Sequence, residues 1–362
     1  MKYLKLFSEL PVGRMTLKNR IVMSPMTRCR ATNNIPNEMM AQYYSLRAQA
    51  GLIITEGTSP SPNGLGYARI PGNFNIEQSQ GWRKVANAVH ARQGHIFMQL
   101  MHTGRVSHPL NMSGNSKILA PSAIALTGEM WTDQKQMQPY PIPEAMSKQQ
   151  IKEAVSEYAH SARLAIDSGM DGIELHGANG YLIDQFLNPA TNQRQDEYGG
   201  TPENRLRFAL EVAKAVVSAI DPDRVGIRLS PYGVFNDMKP FDGLEEFYGM
   251  LAKRLNELNL LYIHCVDHHS MGAPEVTPSV KALLRKEFKH TLILSGGYDA
   301  DRAEHDLLEG KADLIAFGRP FLANPNFVEK IQIGAPIIPA NPATFYTPGE
   351  LGYTVFPKEA AV

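Results

Sequence analysis

The stretch TLILSGGYDADRAEHDLLEGKADLIAFGRPF, residues 291–321, contains two short apolar runs, TLIL and LIAF, and each run leads into a turn that contains glycine. A polar segment long enough for a helix separates the two runs. A strand, a turn and a helix in this order are typical of one unit of a parallel sheet, because parallel neighbours need a crossover connection between them.

The same alternation continues outward from this stretch through most of the chain. Eight apolar runs occur, at residues 20–27, 52–58, 95–102, 172–178, 225–231, 260–267, 291–298 and 314–321. Eight strand and helix units predict an α/β fold, a closed parallel barrel of the (β/α)8 or TIM barrel type, for which 362 residues is an ordinary length. We therefore expect residues 1–362 to form one domain.

Two segments fall outside the alternation. Residues 103–146 are rich in Pro, Met, Ser and Asn, and the tail at residues 335–362 is rich in proline. The first segment follows the third strand, on the barrel face where active sites lie, so we expect either an inserted flap over a pocket or an ordinary long surface loop.

The composition indicates what kind of partner to expect. The chain has 36 Lys and Arg residues and 36 Asp and Glu residues, which gives no electrostatic reason to expect nucleic acid or an anionic membrane as a partner. We expect a small-molecule partner instead. There is no apolar run of membrane-spanning length and no pattern of a secretory leader.

Cysteine and histidine are too sparse for a disulfide framework or a metal centre. Cys29 and Cys265 lie far apart and form no CxxC motif. His264, His268 and His269 lack the spacing of a metal motif, and the last two are expected on an exposed loop, so we expect no metal site. A cytoplasmic protein, as a monomer or a small homo-oligomer, fits these features.

The loops that follow the last two strands form a candidate phosphate site. In this fold, catalytic and binding groups lie at the carboxyl ends of the strands, and the loops after strands seven and eight often bind phosphate. Gly296, Gly297 and Gly318 leave backbone N–H groups unobstructed, and Arg319 adds a bidentate donor. Ordinary tight turns would show the same glycines, and the pattern does not distinguish a flavin from a sugar phosphate.

Arg228 lies inside the apolar strand VGIRLSP. A guanidinium that faces a barrel interior needs an anionic partner. That partner is either a nearby carboxylate, in a salt bridge, or a reduced flavin, whose charge near N1 and the C2 carbonyl the arginine would stabilise. The spacing leaves both possibilities open.

The segment ELHGANGYLIDQFLNP brings three polar side chains to the end of the fourth strand. His176 and Asn179 can donate hydrogen bonds to a carbonyl or nitro oxygen and so polarise a conjugated double bond, while Tyr181 can deliver a proton to carbon. A single histidine at a strand end is more often structural. Three such groups together favour an active site.

Taken in order, the motifs resemble the old yellow enzyme family over essentially the whole chain. They are NRIVMSPMTR, GLIITEGT, QGWRKVANAVHARQGHIFMQLMHTGR, DGIELHGANGYLIDQFLNPATNQRQDEYGG, VGIRLSP, SGGY and AFGRPFLANP. The resemblance implies noncovalently bound FMN, NADPH or NADH as hydride donor, and reduction of the C=C bond of activated alkenes. The substrates would be α,β-unsaturated aldehydes, ketones, imides or nitroalkenes, and nitro compounds or nitrate esters are further candidates.

The resemblance also implies roles for individual residues. FMN would be bound by Pro25, Met26, Thr27, Gly57, Gln99, Arg228, Gly296, Gly297, Gly318 and Arg319. His176 and Asn179 would hold the activating oxygen of the substrate, and Tyr181 would donate the proton. Tyr67, Met101 and Tyr346 would line the substrate pocket.

Two positions depart from the family pattern. Met101 stands where many relatives have tryptophan, and Gly57 stands where alanine is frequent, so the resemblance does not determine the shape of the pocket. Two other interpretations stay open from the residues alone. One is a flavin-free barrel of the sugar-phosphate isomerase or aldolase type, and the other is a non-catalytic barrel that binds FMN or a phenol.

Overall fold

A closed barrel of eight parallel strands lies at the centre of the computed structural model, which describes residues 2–356. The strands, numbered in chain order, are Ile21–Met23 (β1), Leu52–Ile54 (β2), Ile96–Leu100 (β3), Gly172–Gly177 (β4), Val225–Leu229 (β5), Tyr262–Val266 (β6), Thr291–Ser295 (β7) and Leu314–Phe317 (β8). Each strand pairs with the next, and β8 pairs with β1. The predicted TIM barrel is therefore confirmed.

Each strand lies within its predicted apolar run. The end of the run leaves the sheet and enters the loop at the carboxyl end of the barrel, where it carries residues such as Thr27 and Gly297. The residues expected to be functional thus lie in loops whose positions are set by the strand ends.

Amphipathic helices follow the strands. Their bounds are Glu38–Ser45, Ile76–His90, Lys148–Asp167, Leu182–Leu187, Pro202–Ile220, Leu244–Glu257, Pro278–Glu287, Ala300–Leu308, Arg319–Ala323 and Phe327–Ile333. In the helix Lys148–Asp167, the apolar residues at helical spacing, including Ile151, Tyr158 and Ala162, are buried in the core between helices and barrel. Ser147 and Gln150 begin this helix with a capping box.

The amino end of the barrel is closed by an antiparallel hairpin, Leu10–Val12 paired with Met15–Leu17. Its side chains Val12, Met15 and Leu17 pack into a separate apolar cluster inside the barrel, together with residues of the strands such as Phe97 and Tyr262. Ligands can therefore reach the barrel interior from the carboxyl end.

The segment 103–146 forms two small pairs of strands. Glu129–Thr132 and Gln136–Pro139 make an antiparallel hairpin, and Leu119–Ala120 pairs with Glu144–Ala145 in parallel. The tail predicted at residues 335–362 is described as far as residue 356, and its last six residues lie outside the described residues. Cys29 and Cys265 are both buried and free.

Candidate active site

Two adjoining cavities open at the carboxyl end of the barrel. One has a volume of about 570 Å³ and the other a volume of about 740 Å³. We call the first the glycine arm, because Gly296, Gly297 and Gly318 line it, and the second the tyrosine arm, because Tyr67, Tyr140 and Tyr181 line it. The residues that line both are Pro25, Thr27, Asn179, Arg228 and Tyr346. The two arms therefore form one continuous cleft.

Nearly all of the predicted site residues surround this cleft. Besides the shared residues, the glycine arm is lined by Met26, Gly296, Gly297, Gly318 and Arg319. The tyrosine arm is lined by Gln99, His176, Tyr181, Tyr67 and Met101. Gly57 differs, because in the described part of the chain it lines neither arm and is packed against Met101, which stands between it and the tyrosine arm.

The glycine arm is built from the turns that follow β7 and β8. Gly296 and Gly297 have φ angles of +119° and +63°, and a side chain at Gly296 would collide with the carbonyl oxygen of Asp267. The chain can therefore turn tightly and leave backbone N–H groups accessible. Arg319 is exposed, and its side chain forms no hydrogen bond or ion pair with any described residue. Such donors suit a phosphate group.

Arg228 brings a buried positive charge to the junction of the two arms. It is 7% exposed, its Nε has no hydrogen-bond partner, and no carboxylate of residues 2–356 forms an ion pair with it. The salt bridge that the sequence left open is therefore not formed there. Burial lowers the pKa of Arg228, but a guanidinium stays protonated in proteins. A buried donor without a hydrogen-bond partner costs free energy, so the site suits a ligand that places an acceptor atom beside Arg228.

Glu174 of β4 is bonded to neutral partners. Its carboxylate accepts a hydrogen bond from Gln99 Nε2 at 2.8 Å, and it lies 2.9 Å from His264 Nδ1. His264 Nε2 lies 3.0 Å from Ser295 Oγ. Since a carboxylate accepts, His264 carries its proton on Nδ1, and burial lowers its pKa so that the ring is neutral. Gln99 thus keeps its amide oxygen free for a ligand in the tyrosine arm.

The sequence analysis named Gln99 as a flavin contact and weighed His264 only as a metal ligand, so it missed the buried network that joins them to Glu174 and Ser295. Its members come from four strands far apart in the chain, so their spacing carries no signal. One feature of the sequence did indicate Glu174. It lies two residues before His176 in the same strand, and side chains at that spacing point to the same side.

Tyr181 lies between His176 and a second tyrosine. The Oη atoms of Tyr181 and Tyr67 are 3.0 Å apart, and the rings of Tyr181 and His176 meet edge to face with centroids 4.9 Å apart. Burial raises the pKa of Tyr181 to about 12, so its hydroxyl keeps its proton at neutral pH. Burial also holds the pKa of His176 well below its usual value, and the charge of Arg228 adds to this effect. The neutral imidazole has one N–H to donate.

His268 fixes the orientation of Asn179. His268 Nε2 lies 2.7 Å from Asn179 Oδ1, so the amide nitrogen of Asn179 is left to donate into the cleft. The backbone of Asn179 has a φ of +61°, and its carbonyl oxygen accepts from Asn236 Nδ2 at 2.7 Å. The expectation that His268 lies on an exposed loop is therefore wrong, because it is half-buried against the site. His269 is exposed as expected.

Tyr346 reaches the cleft because buried arginines hold the chain on its amino side. Arg28 Nε donates to Phe345 O at 3.1 Å, and Arg30 Nη2 donates to Thr344 O at 2.9 Å. The side chain of Tyr346 is 60% exposed, so it forms the rim of the cleft. The sequence reasoning found Tyr346 but not the two arginines that place it.

The part of the chain that the structure describes holds neither a cluster of metal ligands nor a helix that could span a membrane. Among residues 2–356, no group of three or more His, Cys, Asp and Glu side chains is placed to hold a metal ion. None of the helices described above is long and apolar enough to cross a membrane.

Comparison with known proteins places the chain beside flavin enzymes. The sequence model of the "NADH:flavin oxidoreductase / NADH oxidase family" matches residues 5–337. The chain is 42% identical over 359 residues to a "Probable flavin mononucleotide-dependent alkene reductase" of Leishmania infantum, and the match covers 97% of each chain.

Two solved structures share the fold almost throughout. A morphinone reductase in complex with tetrahydroNAD has a TM-score of 0.92 and 40% identity, with 97% of each chain covered. The old yellow enzyme homologue from Zymomonas mobilis has a TM-score of 0.93 and 37% identity, with 98% of this chain and 99% of that chain covered.

Proposed function

Because the chain belongs to the NADH:flavin oxidoreductase / NADH oxidase family, and within it to the old yellow enzymes, it is an FMN-dependent, NAD(P)H-using alkene reductase, and we propose which of its residues perform each part of that reaction. When bound, FMN supplies the hydride carrier between the nicotinamide and the alkene. Family membership thus decides against the flavin-free barrel and the purely storage barrel that the sequence left open.

The cleft offers FMN an anion site and a polar edge. We assign the phosphate to Gly296, Gly297, Gly318 and Arg319 in the glycine arm, and the ring edge to Arg228, Gln99 and Thr27, with backbone contacts from Pro25, Met26 and Gly57. The main support is the buried guanidinium of Arg228 at the junction of the arms, because no described carboxylate forms an ion pair with it. Gly57 has the weakest support, since Met101 separates it from the cleft.

His176 and Asn179 hold the activating oxygen of the alkene substrate in this proposal. Both can donate at this point, because neutral His176 carries one N–H and the oxygen of Asn179 is taken by His268, which leaves its amide nitrogen free. Two donors on one oxygen withdraw electrons from the conjugated double bond, and so favour hydride addition at the β-carbon.

Tyr181 completes the reaction. Its O–H bond breaks as a C–H bond forms at the α-carbon, and the charge left on its oxygen is stabilised by the hydroxyl of Tyr67, 3.0 Å away. The high pKa of Tyr181 keeps this proton in place until the substrate takes it.

The side chains that line the tyrosine arm determine which substrates fit beside the two donors. Met130 and Trp131 of the hairpin line this arm, so we propose that residues 103–146 form a flap over an alkene with an apolar body. An alkene that is activated by a carbonyl, imide or nitro group has an oxygen that can accept hydrogen bonds from His176 and Asn179. Nitro compounds and nitrate esters would use the same donors.

We further propose one FMN-binding domain over residues 1–362 and a monomer or small homo-oligomer. We place the protein in the cytoplasm, because both cysteines are free thiols. Its preference between NADPH and NADH is left to measurement.

A two-step flavin assay tests the proposal. The protein with added FMN should be yellow. In the absence of oxygen, NADPH should bleach the flavin, and cyclohexenone or N-ethylmaleimide should then restore the colour. Tyr181→Phe should slow the second step about 10²-fold to 10⁴-fold and leave the first unchanged. Tyr140→Phe, which removes a hydroxyl from the same arm, is the control. Equal slowing of both steps by Tyr181→Phe would exclude the proton-donor role.

A further inference from the structure

A second buried charge lies one layer deeper in the barrel than His176. Glu174 lines neither arm in the described part of the chain, yet its carboxylate binds Gln99, which does line the tyrosine arm. We propose that Glu174 is a positioning residue that lowers the reduction potential of bound FMN, by fixing Gln99 and by opposing the charge of Arg228. This inference rests on the proposed function, because it requires FMN in the cleft.

The first effect of Glu174 is to select one orientation of the Gln99 amide. Gln99 is 2% exposed, and its Nε2 donates to Glu174 Oε1 at 2.8 Å. The reverse orientation would set the amide oxygen against a carboxylate oxygen, which is repulsive. The amide oxygen is therefore presented as an acceptor, which suits the N–H of a flavin pyrimidine edge.

The second effect is electrostatic. Glu174 and Arg228 lie on paired strands, with His176 opposite Arg228 in the register. Burial lowers the pKa of Arg228 and the charge of Glu174 opposes that shift, so the two charges interact. Reduction adds negative charge to the flavin ring, which Arg228 favours and Glu174 disfavours.

The opposed charges of Arg228 and Glu174 affect how readily reduced FMN gives its hydride to the alkene. Arg228 alone would stabilise reduced FMN and make it a weaker hydride donor. With Glu174 ionised, the reduced form is bound less tightly relative to the oxidised form, and hydride transfer to the alkene is more favourable.

Glu174→Gln isolates the charge from the hydrogen bonds. The new amide oxygen can accept from Gln99, and the new amide nitrogen can donate to His264 Nδ1 if His264 moves its proton to Nε2. His264 Nε2 then donates to Ser295 Oγ, whose hydroxyl is 3.4 Å from the Cys265 carbonyl oxygen. The hydrogen bonds to Gln99 and His264 are both kept, so the variant is expected to fold.

The test is the midpoint potential of bound FMN, measured by anaerobic titration against a reference dye. We expect Glu174→Gln to raise the affinity for reduced over oxidised FMN about tenfold, which is about 30 mV for a two-electron couple. In stopped flow, reduction by NADPH should become faster and reoxidation by the alkene slower.

Asp171→Asn is the matched control. Asp171 precedes β4 at the opposite end of the barrel, where it binds Ile96 N at 2.8 Å and His90 Nε2 at 3.0 Å. Its loss should leave the potential unchanged. An unchanged or lower potential in Glu174→Gln, or an equal rise in Asp171→Asn, would overturn the proposal.

A second variant allows the test to be made if Glu174→Gln does not fold. Glu174→Met removes the same buried charge with a side chain of similar length and should also raise the potential. No rise in this variant would count against Glu174 even if Glu174→Gln did not fold. Failure of the wild-type protein to bind FMN would instead refute the proposed function itself.

Discussion

Replacing Gly57 with alanine tests whether Gly57 and Met101 form a matched pair in the wall of the tyrosine arm. An added Cβ would lie 2.6 Å from Met101 Cε and 3.1 Å from Met101 Cβ, and closer still to the sulfur. Met101 is 1% exposed, and the tyrosine arm that it lines offers the space into which its thioether can turn. The substitution should therefore push Met101 into the cleft.

The expected cost follows from these contacts. Overpacking of this kind destabilises a protein by about 1–3 kcal/mol. Gly57 is not among the residues with positive φ, so alanine also restricts the unfolded chain and recovers about 0.4–1 kcal/mol. The free energy of unfolding should fall in Gly57→Ala, by up to about 2.6 kcal/mol. With Met101→Ala already present the thioether is gone, so the same change should be neutral or slightly stabilising.

Urea unfolding of the four proteins in this cycle measures the coupling between the two positions. FMN is kept at one saturating concentration, because bound ligand adds to stability. The affinity for a phenol, measured from the change that the phenol causes in the flavin spectrum, shows whether the cleft is obstructed. This affinity should fall in Gly57→Ala. The same loss of stability with and without Met101 would show that the two residues are not a pair.

Two further variants, one of them a double substitution, test the polar groups of the tyrosine arm. Tyr67→Phe should slow reoxidation by the alkene about tenfold and leave reduction by NADPH unchanged, since one hydrogen bond to a charged oxygen is lost; equal rates of reoxidation in stopped flow would exclude this contribution. His176→Ala with Asn179→Ala should weaken phenol binding about tenfold or more, by titration. In the wild-type protein, phenol affinity should stay constant from about pH 5.5 to 8, because burial keeps His176 neutral; a step near the ordinary histidine pKa of about 6.5 would show that His176 titrates.

The barrel and most of the cleft could be predicted from the sequence because both follow from repetition. Each unit repeats a short continuous apolar strand, a turn and a helix of period 3.6, and the fold places functional groups at strand ends. His176, Arg228 and Gly297 were found in this way. Their roles were then taken from the family resemblance, since position alone does not specify a flavin.

The missed residues act through partners that a sequence does not reveal. His268 was assigned to an exposed loop because it follows a strand, but a neighbouring loop carries Asn179 over it. Arg28 and Arg30 bind backbone carbonyls of the tail, and any residue type supplies a carbonyl. Nothing in the composition of the proline-rich tail marks it as their partner.

The cleft combines a rigid floor with a rim that can open at little cost. Arg69 joins three separate segments at the rim, because it pairs with Asp133 of the hairpin and donates to the carbonyl oxygens of Tyr346 and Cys29 at 2.9 Å. The side chains of Arg69 and Asp133 are 21% and 46% exposed, and ion pairs of this kind contribute about 0–1 kcal/mol. The hairpin can thus move without breaking the buried hydrogen bonds that join Gln99, Glu174 and His264.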